Sequence, residues 1–151
     1  MRIGLISDTH GLLRPAALAA LRGCDLIVHA GDIGSGEVLT ALEALAPVRA
    51  VRGNNDHGPW AEALPDDDVV QLGEYFLYVL HDRAGLDLDP AAAGFQVVVS
   101  GHSHRPLHEL RDGVHYINPG SAGPRRFSLP ITVAELMLGA DGPEVRFFEL
   151  A

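Results

Sequence analysis

Arg2-Ile3-Gly4-Leu5-Ile6-Ser7-Asp8-Thr9-His10-Gly11 is the stretch from which the rest of the chain is read. Ile3, Leu5 and Ile6 make a short apolar run of the kind that forms a buried β-strand. It passes directly into a polar turn that carries a carboxylate and an imidazole two residues apart. In open α/β sheets, ligands bind outside the carboxyl ends of the strands. Asp8 and His10 at such a place can point at one ion.

The segments that follow repeat the pattern. Arg14-Pro15-Ala-Ala-Leu-Ala-Ala-Leu21 reads as a helix, with Pro15 in its first turn and Gly23 past its end. Residues 25–29 predict a second buried strand, which ends in Ala30-Gly31-Asp32. A helix is expected over 36–46 and a third strand over 48–51, followed by Arg52-Gly53-Asn54-Asn55-Asp56. Strand, helix, strand, helix, strand at this spacing is a parallel βαβ beginning. The second half turns to hairpins: 69–72 with 75–80 around Gly73-Glu74, 107–111 with 114–117 around Asp112-Gly113, and 131–138 with 144–150. A buried strand over 95–100 runs into Gly101-His102-Ser103-His104. The fold expected is α/β, with two mixed sheets packed as a sandwich, flanking helices and one domain over 1–151. Between His81 and Phe95 only about one helical turn, Asp89 to Gly94, is signalled.

The chain has 151 residues, 47% apolar and 21% charged, and carries a formal net charge of -9. That balance argues against a general nucleic-acid-binding surface, which needs a basic footprint. It leaves room for a small phosphorylated substrate, because bound divalent cations reverse the local sign. No apolar run is long enough to span a bilayer, and the first residues do not read as a signal peptide. A cytoplasmic protein without membrane association is expected. The single Cys24 allows no internal disulfide and no thiolate cluster, and reads as a small buried hydrophobe.

Polar residues at strand ends form one set: Asp8, His10, Asp32, Asn54, His81, His102 and His104. All offer oxygen or nitrogen, which suits Mn, Fe, Zn, Ni or Mg rather than a soft thiolate site. Seven donors are too many for one tetrahedral ion and fit two. A bridging carboxylate would hold such a pair about 3.5–4 Å apart.

Ser7-Asp8-Thr9-His10, Gly31-Asp32, Gly53-Asn54-Asn55-Asp56, His81, Gly101-His102-Ser103-His104 and Asn118-Pro119-Gly120-Ser121 occur in the order found in one family. On these blocks the chain resembles the calcineurin-like metallophosphoesterases, in particular their small prokaryotic phosphodiesterase branch. The resemblance implies that Asp8, His10 and His104 hold one divalent cation. Asn54, His81 and His102 would hold a second, and Asp32 would bridge the two. It implies metal-dependent hydrolysis of phosphate esters, diesters foremost, with manganese as the leading metal and a hydroxide between the cations as nucleophile. Asp32, Asn54 and His102 then carry catalytic weight, and Asp56 is expected to orient a ligand imidazole.

His29 reads either as a core histidine or as a residue lying under the site. Arg125 and Arg126 read as a phosphate clamp or as a solvated pair. His57, His108 and His115 read as surface residues. Two departures from the family bear on substrate choice. Asn55 stands where many relatives carry a histidine that helps protonate the leaving group. His81 is followed by Asp82 and Arg83 rather than glycine and histidine. The thin segment after His81 raises the expectation of an uncovered sheet face and a homo-oligomer. The competing readings are a catalytically silent scaffold that keeps this fold for protein contacts, and a mononuclear metal-binding protein without turnover.

Overall fold

The computed structural model describes residues 1–150. β1 (Arg2–Ile6) lies at the centre of a five-stranded sheet. It pairs in parallel with β2 (Leu26–His29), which pairs in parallel with β3 (Val48–Ala50). On its other side it pairs antiparallel with β9 (Thr132–Gly139), which carries the edge strand β10 (Gly142–Glu149). The second five-stranded sheet has the order β4 (Asp67–Leu72), β5 (Tyr75–Leu80), β6 (Val97–Val99), β8 (Val114–Asn118), β7 (Leu107–Arg111). Its three central strands are parallel and its two edge strands antiparallel. The expected α/β architecture of two mixed, packed sheets is the architecture found.

Side-chain alternation explains the layers, because successive residues of a strand face opposite sides. Ile3 and Leu5 of β1 join Val28, Leu77, Val79, Val97, Val99 and Leu136 in a core between the sheets. Ile6 faces the other way. It packs with Ala17 and Leu21 of α1 (Pro15–Leu21) and with Val38 and Leu42 of α2 (Gly36–Glu43). Both faces of β1 are therefore covered, as a near-continuous apolar run demands.

The outer face of the second sheet is not bare. Tyr78, Leu80, Val98, Val114 and Tyr116 are covered by Leu86, Leu88 and Phe95. The covering segment contains a single 3₁₀ turn at Arg83–Gly85 and one turn of helix, α4 (Pro90–Ala93), capped by the Asp89 carboxylate. An irregular strap does the work of a crossover helix, so the reason for expecting a second subunit on that face is removed.

Smaller differences have local causes. α2 stops at Glu43, short of Ala46, because Pro47 disfavours helical geometry in the residue before it. A one-turn helix, α3 (Pro59–Glu62), follows β3 where no helix is expected. The last hairpin is tighter than the sequence suggests: Gly139 pairs with Gly142 across only Ala140 and Asp141. Among the described residues no helix is long and apolar enough to cross a membrane.

Candidate metal centre

Parallel strands share one direction, so β1, β2 and β3 end on the same side of their sheet, and β5, β6 and β8 on the same side of theirs. The residues just beyond those ends meet. Asp8, His10 and His104 form one group whose ligand atoms all lie within 4.8 Å of one another; Asp32, His81 and His102 form a second. Each group draws on both sheets.

The backbone is bent to make this happen. Asp8, His10, Asp32, His102 and His104 have φ of 55°, 47°, 54°, 72° and 63°. They are five of the seven non-glycine residues with positive φ among the described residues. Such a conformation costs of order 1 kcal/mol or more per residue and persists where surrounding structure enforces it. The chain segments around these turns approach one another closely. A Cβ on Gly53 would lie 2.2 Å from the Asp32 backbone nitrogen, and one on Gly101 would lie 2.0 Å from Ser7 Oγ.

The side chains then point lone pairs inward. His81 Nδ1 lies 2.8 Å from the Ala30 carbonyl oxygen. A carbonyl only accepts, so Nδ1 carries the proton and Nε2 is left with a lone pair. That Nε2 is buried and makes no hydrogen bond, and the same holds for Asp8 Oδ1 and His10 Nε2. His81 Nε2 is 3.3 Å from Asp32 Oδ2 and 4.0 Å from Asp8 Oδ1. His10 Nε2 is 3.8 Å from Asp32 Oδ2 and 3.9 Å from Asp8 Oδ1. His104 Nε2 is 3.4 Å from Asp8 Oδ1. Asp32 Oδ2 thus reaches toward a histidine of each group.

Buried polar atoms are almost always satisfied, and exceptions call for an absent ion or water. Three unpaired atoms, all oxygen or nitrogen, gathered in this way are a donor set that could hold a divalent cation. Electrostatics agree. Burial opposes ionisation of Asp32, but His81 and the Asn55 hydrogen bonds outweigh it and hold its carboxyl far below the ordinary range. Burial likewise opposes ionisation of Asp8, yet His104, Ser7 and His81 leave its pKa lowered. Burial works against charging His81, but Asp32, the Ala30 carbonyl and Asp8 together raise its pKa. The site attracts positive charge and keeps both carboxylates ionised.

Comparison with known proteins agrees with the geometry. Residues 1–141 match the Calcineurin-like phosphoesterase superfamily domain. The chain belongs to that superfamily. A probable metallophosphoesterase of Methanothermobacter thermautotrophicus is 34% identical over 163 aligned positions, covering 96% of this chain and 89% of the relative. A phosphodiesterase of Methanocaldococcus jannaschii is 29% identical, covering 80% of this chain and 83% of its own length. Among solved structures, an archaeal phosphodiesterase superposes with a TM-score of 0.83 at 27% identity, over 99% of this chain and all of the other. Vps29 of Entamoeba histolytica superposes with a TM-score of 0.75 at 20% identity over the whole of both chains, a likeness of fold.

Within this superfamily member, several residues beyond the seven carry the geometry. The Asn55 backbone N–H donates to Asp32 Oδ1 at 2.9 Å, and its side-chain amide to Asp32 Oδ2 at 3.0 Å. Ser7 Oγ and the His102 backbone N–H both donate to Asp8 Oδ2, at 2.7 and 3.0 Å. The sequence pattern assigns Ser7 no role, and Asn55 stands out in it only for the histidine that it replaces. The signal available was adjacency: each flanks a carboxylate or a turn of the site.

Asp56 differs from expectation. Its carboxylate accepts the backbone N–H groups of Ile33, Gly34 and Gly53 rather than an imidazole. It fixes the Asp32 and Asn54 turns against each other. His29 is fully buried. The Gly31 N–H donates to its Nδ1, so Nε2 carries the proton and donates to Thr9 Oγ1, whose own proton goes to the Ile33 carbonyl. Burial pushes the His29 pKa down to about 4, so this neutral chain of bonds ties the ends of β1 and β2 beneath the ligands.

Asn54 is exposed and lines a concavity with Gly53, Asp56 and His57. Arg125 Nη1 donates to the Leu129 carbonyl, and Arg126 is exposed. His57 is exposed, and His108 and His115 stack on the hairpin β7–β8, joined at 2.9 Å. Cys24 is a free, buried thiol.

Proposed function

We propose that this protein hydrolyses phosphate esters, diesters foremost, at a pair of divalent cations. The observation that carries the reading is the cluster of buried, unpaired lone-pair atoms on Asp8, His10 and His81. Asp8, His10 and His104 would hold one cation and Asp32, His81 and His102 the other, with Asn54 as a neutral further donor and Asp32 reaching both. Manganese is the leading candidate among hard and borderline metals. When bound, such a pair supplies hydroxide at neutral pH and neutralises charge on the phosphoryl oxygens.

The chain's own residues do the rest. Asn55 and Ser7 hold the two carboxylates in place. Ala30 fixes the His81 tautomer, so that its outward nitrogen is free to ligate. Asn55 has no useful acid, which fits diesters and activated leaving groups better than demanding monoesters. A cytoplasmic setting fits the single buried thiol.

A silent scaffold is the second reading; the Vps29 likeness favours it at the level of fold alone, whereas the gathering of Asp8, His10 and His104 and of Asp32, His81 and His102 into two groups supports the first. Turnover of bis-(p-nitrophenyl) phosphate with manganese, together with metal content per chain, tests both. Two cations per chain and activity are expected. Asp32→Ala and His102→Ala should each lose roughly 10²-fold or more in kcat with an unchanged circular dichroism spectrum. Full turnover in both variants would overturn the site.

A further inference from the structure

A cavity of about 160 Å³ opens beside the second ligand group. Its walls include Asp82, Arg83, His102, Ser103, Leu107 and Tyr116. His102 belongs both to this wall and to the second ligand group, so the cavity adjoins the candidate centre.

The two residues that follow His81, Asp82 and Arg83, form one wall of the cavity. Asp82 accepts the Ala84 N–H and starts the 3₁₀ turn. That turn lays the Arg83 guanidinium 4.2 Å over the Tyr116 ring, where Glu109 holds it at 3.1 Å. Arg83 is thereby fixed and neutralised, and acts as a wall rather than as a free cation. On the opposite side Ser103 Oγ accepts from the Asn118 amide and the Arg105 N–H, which leaves its own proton to donate into the space. The accessible lining is mostly apolar, with Leu107, Ile117 and the cation-covered Tyr116 ring in it, and its polar side carries the Ser103 hydroxyl and the Asp82 carboxylate, 3.7 Å from His102 Nε2. A cavity of roughly 150 Å³ holds benzene in another protein, which sets the scale.

We infer that this cavity is the subsite for one ester arm of the substrate, and that it takes a compact, largely apolar, ring-sized arm such as an aryl or short cyclic alcohol. The inference rests on the proposed phosphoesterase centre, since the arm must be delivered by a phosphoryl group held there. Leu107 is the specificity-determining residue: it lines the cavity from an edge strand and is 42% exposed, so a larger aromatic there is compatible with the strand.

The test is competitive inhibition of the manganese-loaded protein by phenylphosphonate and methylphosphonate. The wild type should bind the phenyl compound about tenfold more tightly. Leu107→Trp should reduce that ratio to near one while leaving the methylphosphonate Ki within about twofold, which also shows that the fold and the centre are intact. Leu107→Phe should fall between. A phenyl preference that is absent in the wild type, or that survives in Leu107→Trp, overturns the subsite alone. If neither phosphonate binds, the metal-centre reading fails and takes the subsite with it.

Discussion

At the scale of single residues, the centre depends on side chains that never need to touch a substrate. Asn55 donates twice to Asp32; only the amide bond is lost in Asn55→Ala. Partners that orient a metal ligand typically contribute 10–100-fold in metal affinity. Asn55→Ala should therefore weaken manganese binding by about that factor, read by titration calorimetry, with the fold unchanged. His29 gives a different prediction. Its folded pKa, about 4, lies below the ordinary histidine value of 6.5. The unfolded chain takes up the proton first as pH falls. The stability contributed by neutral His29 is complete above pH 6.5 and is lost between 6.5 and about 4, at up to roughly 1.4 kcal/mol per pH unit. Urea midpoints of the chelator-treated protein should fall across that window, and fall less steeply in His29→Gln.

At the scale of elements, β1 bears most of the architecture. Leu5 is fully buried in the core between the sheets. Leu5→Ala should cost about 2–5 kcal/mol in chemical denaturation, against a few tenths for the exposed Leu110→Ala on β7. Most elements were legible in the sequence because their signals were local and strong. The apolar run before Ser7, the Pro15 start of α1 and the Asp112-Gly113 turn each specify their own geometry. That turn has φ of 52° and 78°, the left-handed pair that a tight hairpin requires. What escaped was decided by tertiary contact. The strap over 82–95 has almost no periodicity, and only its placement against Tyr78, Val98 and Tyr116 gives Leu86, Leu88 and Phe95 a purpose. The candidate ligand positions were legible as strand ends. The work of Asp56 was not, because its three N–H partners come from two separate turns. The Asn55 bonds to Asp32 likewise span 23 positions of chain.

At the scale of the molecule, occupancy and stability are linked. A cation that binds the folded chain at one hundred times its dissociation constant stabilises it by about 2.7 kcal/mol. Melting temperature should rise with manganese in a concentration-dependent way. The rise should shrink on acidification, because His81 must shed a proton to ligate and its pKa is raised. A melting temperature indifferent to both metal and pH would contradict the linkage. There is a mechanical corollary to the way each ligand group borrows from both sheets. Asp8, His10 and Asp32 come from one sheet, and His81, His102 and His104 from the other. Two bound ions would rivet the halves of the sandwich together at one end only, as a clasp closes a book. Stripping them should speed amide exchange first along that open edge, and leave the opposite end, where Tyr75 grips the Gly139 carbonyl, as slow as before.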